Sequence, residues 1–125
     1  MILLDTHVVV WLYSGDAGRF SHRAIGLIEN DDLVVSPGAV LETEYLYETG
    51  KITARALEII ECRNSTIGLL VCEMSFHRVV VESPGLTWTR DPFDHLIVGP
   101  AQAAGSQLLK KDALILRMFK GAVWD

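Results

Sequence analysis

Among sixteen acidic side chains, a few stand where they could do chemistry. Asp5 directly follows the apolar run Met1 to Leu4, and Asp112 follows a second short run, Gln107 to Leu109. If both runs are strands of one open parallel sheet, both acids lie at its carboxyl edge. Ligands bind at that edge, so carboxylates far apart in the chain can converge there. Each is equally suited to capping the helix that follows it. Glu42 has Gly38, Ala39, Tyr45 and Leu46 as helical neighbours three and four residues away, a mostly apolar face. A carboxylate there must be solvated, paired or bound to a metal, because burying an unpaired charge is costly. Glu44 lies about 200° around the same helix and groups with Glu48, which reads as a solvent face, although periodicity alone does not exclude it. In Asp91-Pro92-Phe93-Asp94, Asp91 reads as an N-cap, and Asp94 either favours the helix dipole or points into an acidic cleft.

The elements that must position these residues alternate short apolar runs with longer amphipathic ones. Helices are expected over Val8 to Tyr13, from a Ser21 cap to Glu29, from Ser36-Pro37 to near Gly50, and over Thr53 to Arg63. Further helices are expected over Ser75 to Val81, from Asp91-Pro92 onward, and over Ala113 to Phe119. Strands are expected at Met1 to Leu4, Leu33 to Val35, Leu69 to Cys72, Gln107 to Leu109 and Ala122 to Trp124. The alternation predicts α/β architecture with a mostly parallel sheet covered on both faces.

With 125 residues and 50% hydrophobic content, residues 1–125 are expected to form a single domain around one core. No apolar stretch approaches the ~20 residues that span a bilayer. The start of the chain lacks a basic flank and cleavage site, so a cytoplasmic protein is expected. Cys62 and Cys72 have no zinc spacing, which argues against a structural zinc site or disulfide. The net charge of -5 opposes sequence-blind binding to polyanions. Any nucleic-acid substrate therefore requires local sign reversal, by bound cations, basic clusters or a second subunit.

In order and spacing, these fragments resemble the PIN-domain family, specifically its VapC-like toxin ribonucleases. The resemblance is carried by Met1-Ile-Leu-Leu-Asp-Thr-His-Val8 with Trp11-Leu12, Val35-Ser36 followed by Glu42, Asp91-Pro-Phe-Asp94, Leu108-Leu109 before Asp112, and Val123-Trp124. It implies a three-layer α/β/α sandwich and an acidic site of Asp5, Glu42, Asp94 and Asp112, with Thr6 supporting and Asp91 mainly structural. It also implies Mg2+ or Mn2+, an RNA substrate, a small antitoxin partner and a homodimer. The donor types suit that chemistry, since hard divalent ions prefer oxygen ligands and can lower the pKa of bound water. Four clustered carboxylates would repel one another without a cation.

Three departures from the family pattern bear on the site. His95 stands where arginine is frequent, Lys110 stands where threonine or serine is usual, and Pro100 falls inside the helix that begins at Asp91-Pro92. Lys110 could contact phosphate, or it could neutralise a carboxylate and weaken metal binding. Pro100 removes a backbone donor and is expected to kink the helix beyond Asp94. Trp11, Trp88 and Trp124 could stack on bases but are expected to pack. Arg90, Lys110, Lys111, Arg117 and Lys120 could rim an RNA groove or form a solvated face. The alternatives to a nuclease are a PIN-fold RNA- or protein-binding module with impaired catalysis and an α/β phosphatase or phosphoacceptor domain using Asp5. The second is weakened because no acid follows two residues after Asp5.

Overall fold

The computed structural model describes residues 1–83 and 85–125. Its centre is a five-stranded, fully parallel sheet ordered β3-β2-β1-β4-β5, formed by β1 (Ile2–Leu4), β2 (Leu33–Val35), β3 (Leu70–Val71), β4 (Gln107–Leu109) and β5 (Ala122–Val123). Leu3 lies between Val34 and Leu108 in register, and all three are buried. Parallel strands covered on both faces must be apolar throughout rather than alternating, which β1 and β2 satisfy residue for residue. Burying each such leucine, isoleucine or valine stabilises the fold by about 1.5–3 kcal/mol.

Seven α-helices among the described residues cover the sheet in an α/β/α arrangement: α1 (Thr6–Ser14), α2 (His22–Asn30), α3 (Pro37–Glu48), α4 (Ala56–Ile67), α5 (Phe76–Glu82), α6 (Pro92–Ala104) and α7 (Ala113–Met118). Most start where the sequence offers an oxygen. Asp5, Ser21, Ser36, Ser75, Asp91 and Asp112 each accept a backbone N–H from the first turn of the following helix. Helix α4 differs, beginning at Ala56 rather than Thr53. Its N-cap is Arg55, whose side chain makes no capping bond. Glu44 of α3 supplies the missing oxygen, accepting the Ala56 N–H at 3.1 Å while its other oxygen takes Arg55 Nη2 at 2.5 Å. Glu44 is thus a tie between helices, where the sequence pattern suggested a solvent face.

Two contacts set the α3–α6 seam. Gly38 lies so close to α6 that a Cβ built on it would fall 2.4 Å from Leu96 Cβ. The rings of Tyr45 and Phe93 meet edge to face at 5.7 Å. Helix α6 continues through Pro100 to Ala104, and Gly99 and Pro100 are buried. A Cβ on Gly99 would come within 2.9 Å of Val79 in α5. Among the described residues no helix is long and apolar enough to cross a membrane.

The strand order fixes where a site can form. From β1 the chain builds outward through β2 and β3, then returns to the opposite side of β1 for β4 and β5. The direction reverses between β1 and β4, and the crevice outside their carboxyl ends is the favoured ligand position in such sheets. Asp5 and Lys110 are the first residues past those two ends. The Asp5 N–H donates to Leu109 O at 3.1 Å, locking the two ends together.

Candidate functional site

A cleft of about 410 Å³ opens at that reversal point, lined by Asp5, His7, Trp11, Glu42, Asp91, Asp94, Lys110, Lys111 and Asp112. All four acids expected at the site, and Asp91, are therefore brought to one cavity from α3, α6 and the carboxyl ends of β1 and β4. Thr6 is not among the lining residues. It is fully buried, and its hydroxyl has no hydrogen-bond partner among the described residues.

Asp5 is the most deeply placed of the acids. Its Oδ2 accepts the His7 N–H at 3.4 Å and lies 3.8 Å from His7 Nδ1, while its Oδ1 accepts from Lys110 Nζ at 2.8 Å. Burial on its own would raise the Asp5 pKa. The His7 contact and the Lys110 charge and hydrogen bond outweigh burial and hold the carboxyl below its ordinary range. The His7 pKa is raised, first by its contact with the Asp5 carboxylate and against a lowering effect of burial. The more distant Glu42 also raises it, and Lys110 opposes.

Asp94 is held differently. Its Oδ2 accepts the Thr89 hydroxyl at 2.7 Å, and the same hydroxyl oxygen accepts the Asp91 N–H at 3.1 Å. Asp91 Oδ1 caps Phe93 N at 2.9 Å, the structural part expected of it. His95 Nε2 pairs with the Thr89 carbonyl at 3.0 Å, so it fastens the preceding loop to α6. In the sequence Thr89 carries no signal beyond a hydroxyl two positions before an N-cap aspartate, a local turn-forming pattern.

Asp112 lines the cleft and also caps α7, accepting the Ile115 N–H on Oδ1 at 3.0 Å. Capping and cleft placement thus coexist at both strand-end acids. Glu42 is half-buried on α3. Trp11 packs edge to face on Phe20 and Trp124, at 6.2 and 5.9 Å, while also lining the cleft. Lys111 Nζ lies 5.9 Å from the Trp124 ring.

A larger groove of about 990 Å³ runs along α3 and α4. Its lining is mainly apolar, and the Glu44 and Arg55 charges within it are committed to each other. Volume alone does not make it the chemical site: its other acids, Glu58 and Glu61, both come from α4, and Glu58 accepts the Tyr13 hydroxyl at 3.3 Å.

The PIN domain family model matches residues 2–119, and the chain belongs to that family. Among solved structures it is similar to the crystal structure of VapBC2 from Rickettsia felis bound to a DNA fragment from their promoter. The TM-score is 0.71 at 18% sequence identity, with 100% of each chain covered. No curated protein matches the chain.

The cleft can be tested against the divalent cation that the family resemblance implies. The donors fit in kind: the lining has five carboxylates, four of them the acids expected at the site, and no thiolate. The buried Asp5 also requires a positive partner, and a cation already sits on its Oδ1: the Lys110 ammonium group. Among the described residues no three His, Cys, Asp or Glu groups gather tightly enough, as placed, to hold a metal ion. Donor chemistry therefore suits a hard cation, while Lys110 occupies part of the place such an ion would take.

Proposed function

We propose that this protein is a metal-dependent endoribonuclease that hydrolyses RNA phosphodiesters, acting in the cytoplasm as the toxin of a toxin-antitoxin pair. The observation that carries this reading is the meeting of Asp5, Glu42, Asp94 and Asp112 in one cleft at the β1–β4 reversal point. These four residues would hold Mg2+ or Mn2+. When bound, such an ion supplies Lewis acidity toward a phosphoryl oxygen and a water of lowered pKa.

The chain's own residues prepare the rest. Thr89 fixes the rotamer of Asp94, and the His7 backbone amide fixes that of Asp5. The cap bond to Ile115 holds Asp112 at the rim. His7 and Lys111 stand in the lining as positive or protonatable groups that can meet an approaching phosphate. A protein of net charge -5 needs such local reversal, and a homodimer would extend the basic rim along a longer RNA.

The partner is proposed by analogy of fold: the similar Rickettsia felis structure is a VapBC2 complex on promoter DNA. A small antitoxin is proposed as the partner of this chain. Incubation of the purified chain with structured and single-stranded RNA tests the activity. Internal cleavage should appear with Mn2+ or Mg2+ and stop on chelation; intact RNA under both metals would remove the assignment.

One observation favours a second reading, a PIN-fold binding module with impaired catalysis. Lys110 Nζ rests on the carboxylate that a metal would need. RNA that is bound but never cut, with no uptake of metal, would decide for it.

A further inference from the structure

The Asp5–Lys110 pair is unusual for its depth. The side chains are 4% and 12% exposed, and the ammonium nitrogen lies 2.8 Å from Oδ1. Burying an unpaired charge is costly, so the ionised Asp5 is favoured by a cation beside it. Its Oδ2 takes the His7 amide and stands 3.8 Å from His7 Nδ1, so the nearest full positive charge is the Lys110 ammonium group on Oδ1. Lys110 is also the first residue beyond β4, adjacent to the reversal point, and it lines the same cleft as Glu42, Asp94 and Asp112. These acids are alternative seats for an ammonium group displaced from Asp5.

We infer that Lys110 is the resident cation of the cleft: it neutralises Asp5 in the metal-free protein and must leave Oδ1 before a divalent ion can use that oxygen. Two cations cannot share one carboxylate oxygen at hydrogen-bond distance without strong repulsion. Lys110 therefore acts as a tethered competitor that sets the metal concentration at which the cleft loads, and it spares the empty cleft the repulsion among its acids. It is a positioning residue, acting through Asp5. The inference rests on the reading that this cleft takes a divalent ion.

The test is Mn2+ binding to the full chain, followed by the loss of the free-ion paramagnetic resonance signal, in wild type, Lys110→Gln, Lys110→Met and Lys110→Arg. Lys110→Gln keeps a donor for Asp5 without charge, so it guards against the folding loss that Lys110→Met risks. Both neutral variants should bind Mn2+ at least about tenfold more tightly than wild type, equivalent to about 1.4 kcal/mol. Lys110→Arg, which keeps the cation, should retain the wild-type affinity. In chelator, Lys110→Gln should melt below wild type, and Mn2+ should raise its melting temperature by more than it raises that of wild type.

Equal or weaker Mn2+ affinity in Lys110→Gln, or equal stabilisation of both proteins by Mn2+, would overturn the inference. Its failure is separable from that of the nuclease reading. Wild-type RNA cleavage with unchanged Mn2+ affinity in the variant sinks only the competitor role. Tighter Mn2+ binding by the variant, with no RNA cut by any form, sinks only the nuclease.

Discussion

Thr89 Oγ1 donates to Asp94 Oδ2 at 2.7 Å while accepting the Asp91 N–H at 3.1 Å, so one hydroxyl joins the cap of α6 to the carboxylate that α6 presents to the cleft. A group that orients a ligand acts on activity more than on folding. Thr89→Val keeps the shape and removes both bonds. Stability should fall by about 1 kcal/mol. RNA cleavage should fall at least about tenfold, the loss that the proposed role of Asp94 as a metal ligand entails. Parallel thermal melts and cleavage assays check this, and a loss confined to stability would reduce Thr89 to a loop residue.

Gly38 controls the spacing of α3 and α6. Alanine is intrinsically better than glycine inside a helix by about 1 kcal/mol. Here its Cβ would meet Leu96 Cβ at 2.4 Å and the Leu96 carbonyl oxygen at 3.3 Å. Neither atom is the movable end of a side chain, so the clash decides the sign. Gly38→Ala should destabilise by about 1–3 kcal/mol, the usual cost of overpacking. Because Glu42 lies one turn along α3 and Asp94 lies on α6, cleavage should fall further than stability alone explains. Urea unfolding and initial cleavage rates measure the two effects.

Much of this arrangement was legible in the residues themselves. Apolar runs ending in Asp5 and before Asp112 marked strands whose carboxyl ends meet, and Ser36-Pro37 and Asp91-Pro92 marked two helix starts within the chain order of an α/β fold. Those are local signals, set by capping chemistry and period. The tie from Glu44 to the start of α4, the Thr89–Asp94 bond and the Asp5–Lys110 pair were not specified that way. The first and last depend on three-dimensional packing, since they join residues 12 and 105 positions apart. The capping role of Asp5 and its place in the cleft looked like competing readings because spacing treats them as alternatives. A carboxylate has two oxygens and can serve both.

Glu44 offers a pH test away from the cleft. Hydrogen bonds from Arg55, then the Ala56 N–H, hold its pKa below the ordinary 4.5. A carboxyl lowered on folding adds stability that is fully present above its ordinary value and is lost as pH falls through the lowered one. Glu44→Gln keeps an oxygen for Ala56 but loses the charge. The variant should therefore be less stable than wild type at pH 7, with the gap closing in acid below 4.5. Denaturant titrations across that range follow the gap, and a difference independent of pH would show that the Arg55 charge pair contributes nothing.

The acids of the β1–β4 cleft are proposed to perform metal-dependent RNA hydrolysis, and Asp94 is the residue that isolates that role. Asp5 is entangled with Lys110, and Asp112 supports α7, but Asp94→Asn removes only the charge: its carbonyl oxygen can still accept the Thr89 hydroxyl. The direct measurement is the rate of RNA cleavage by Asp94→Asn and wild type in saturating Mn2+, beside their melting temperatures in chelator. Near-equal melting temperatures are expected, with a cleavage rate lowered by about a hundredfold or more, in line with losing several kcal/mol of charge stabilisation at the reacting phosphate. A folded Asp94→Asn protein that cuts RNA at the wild-type rate would contradict that role.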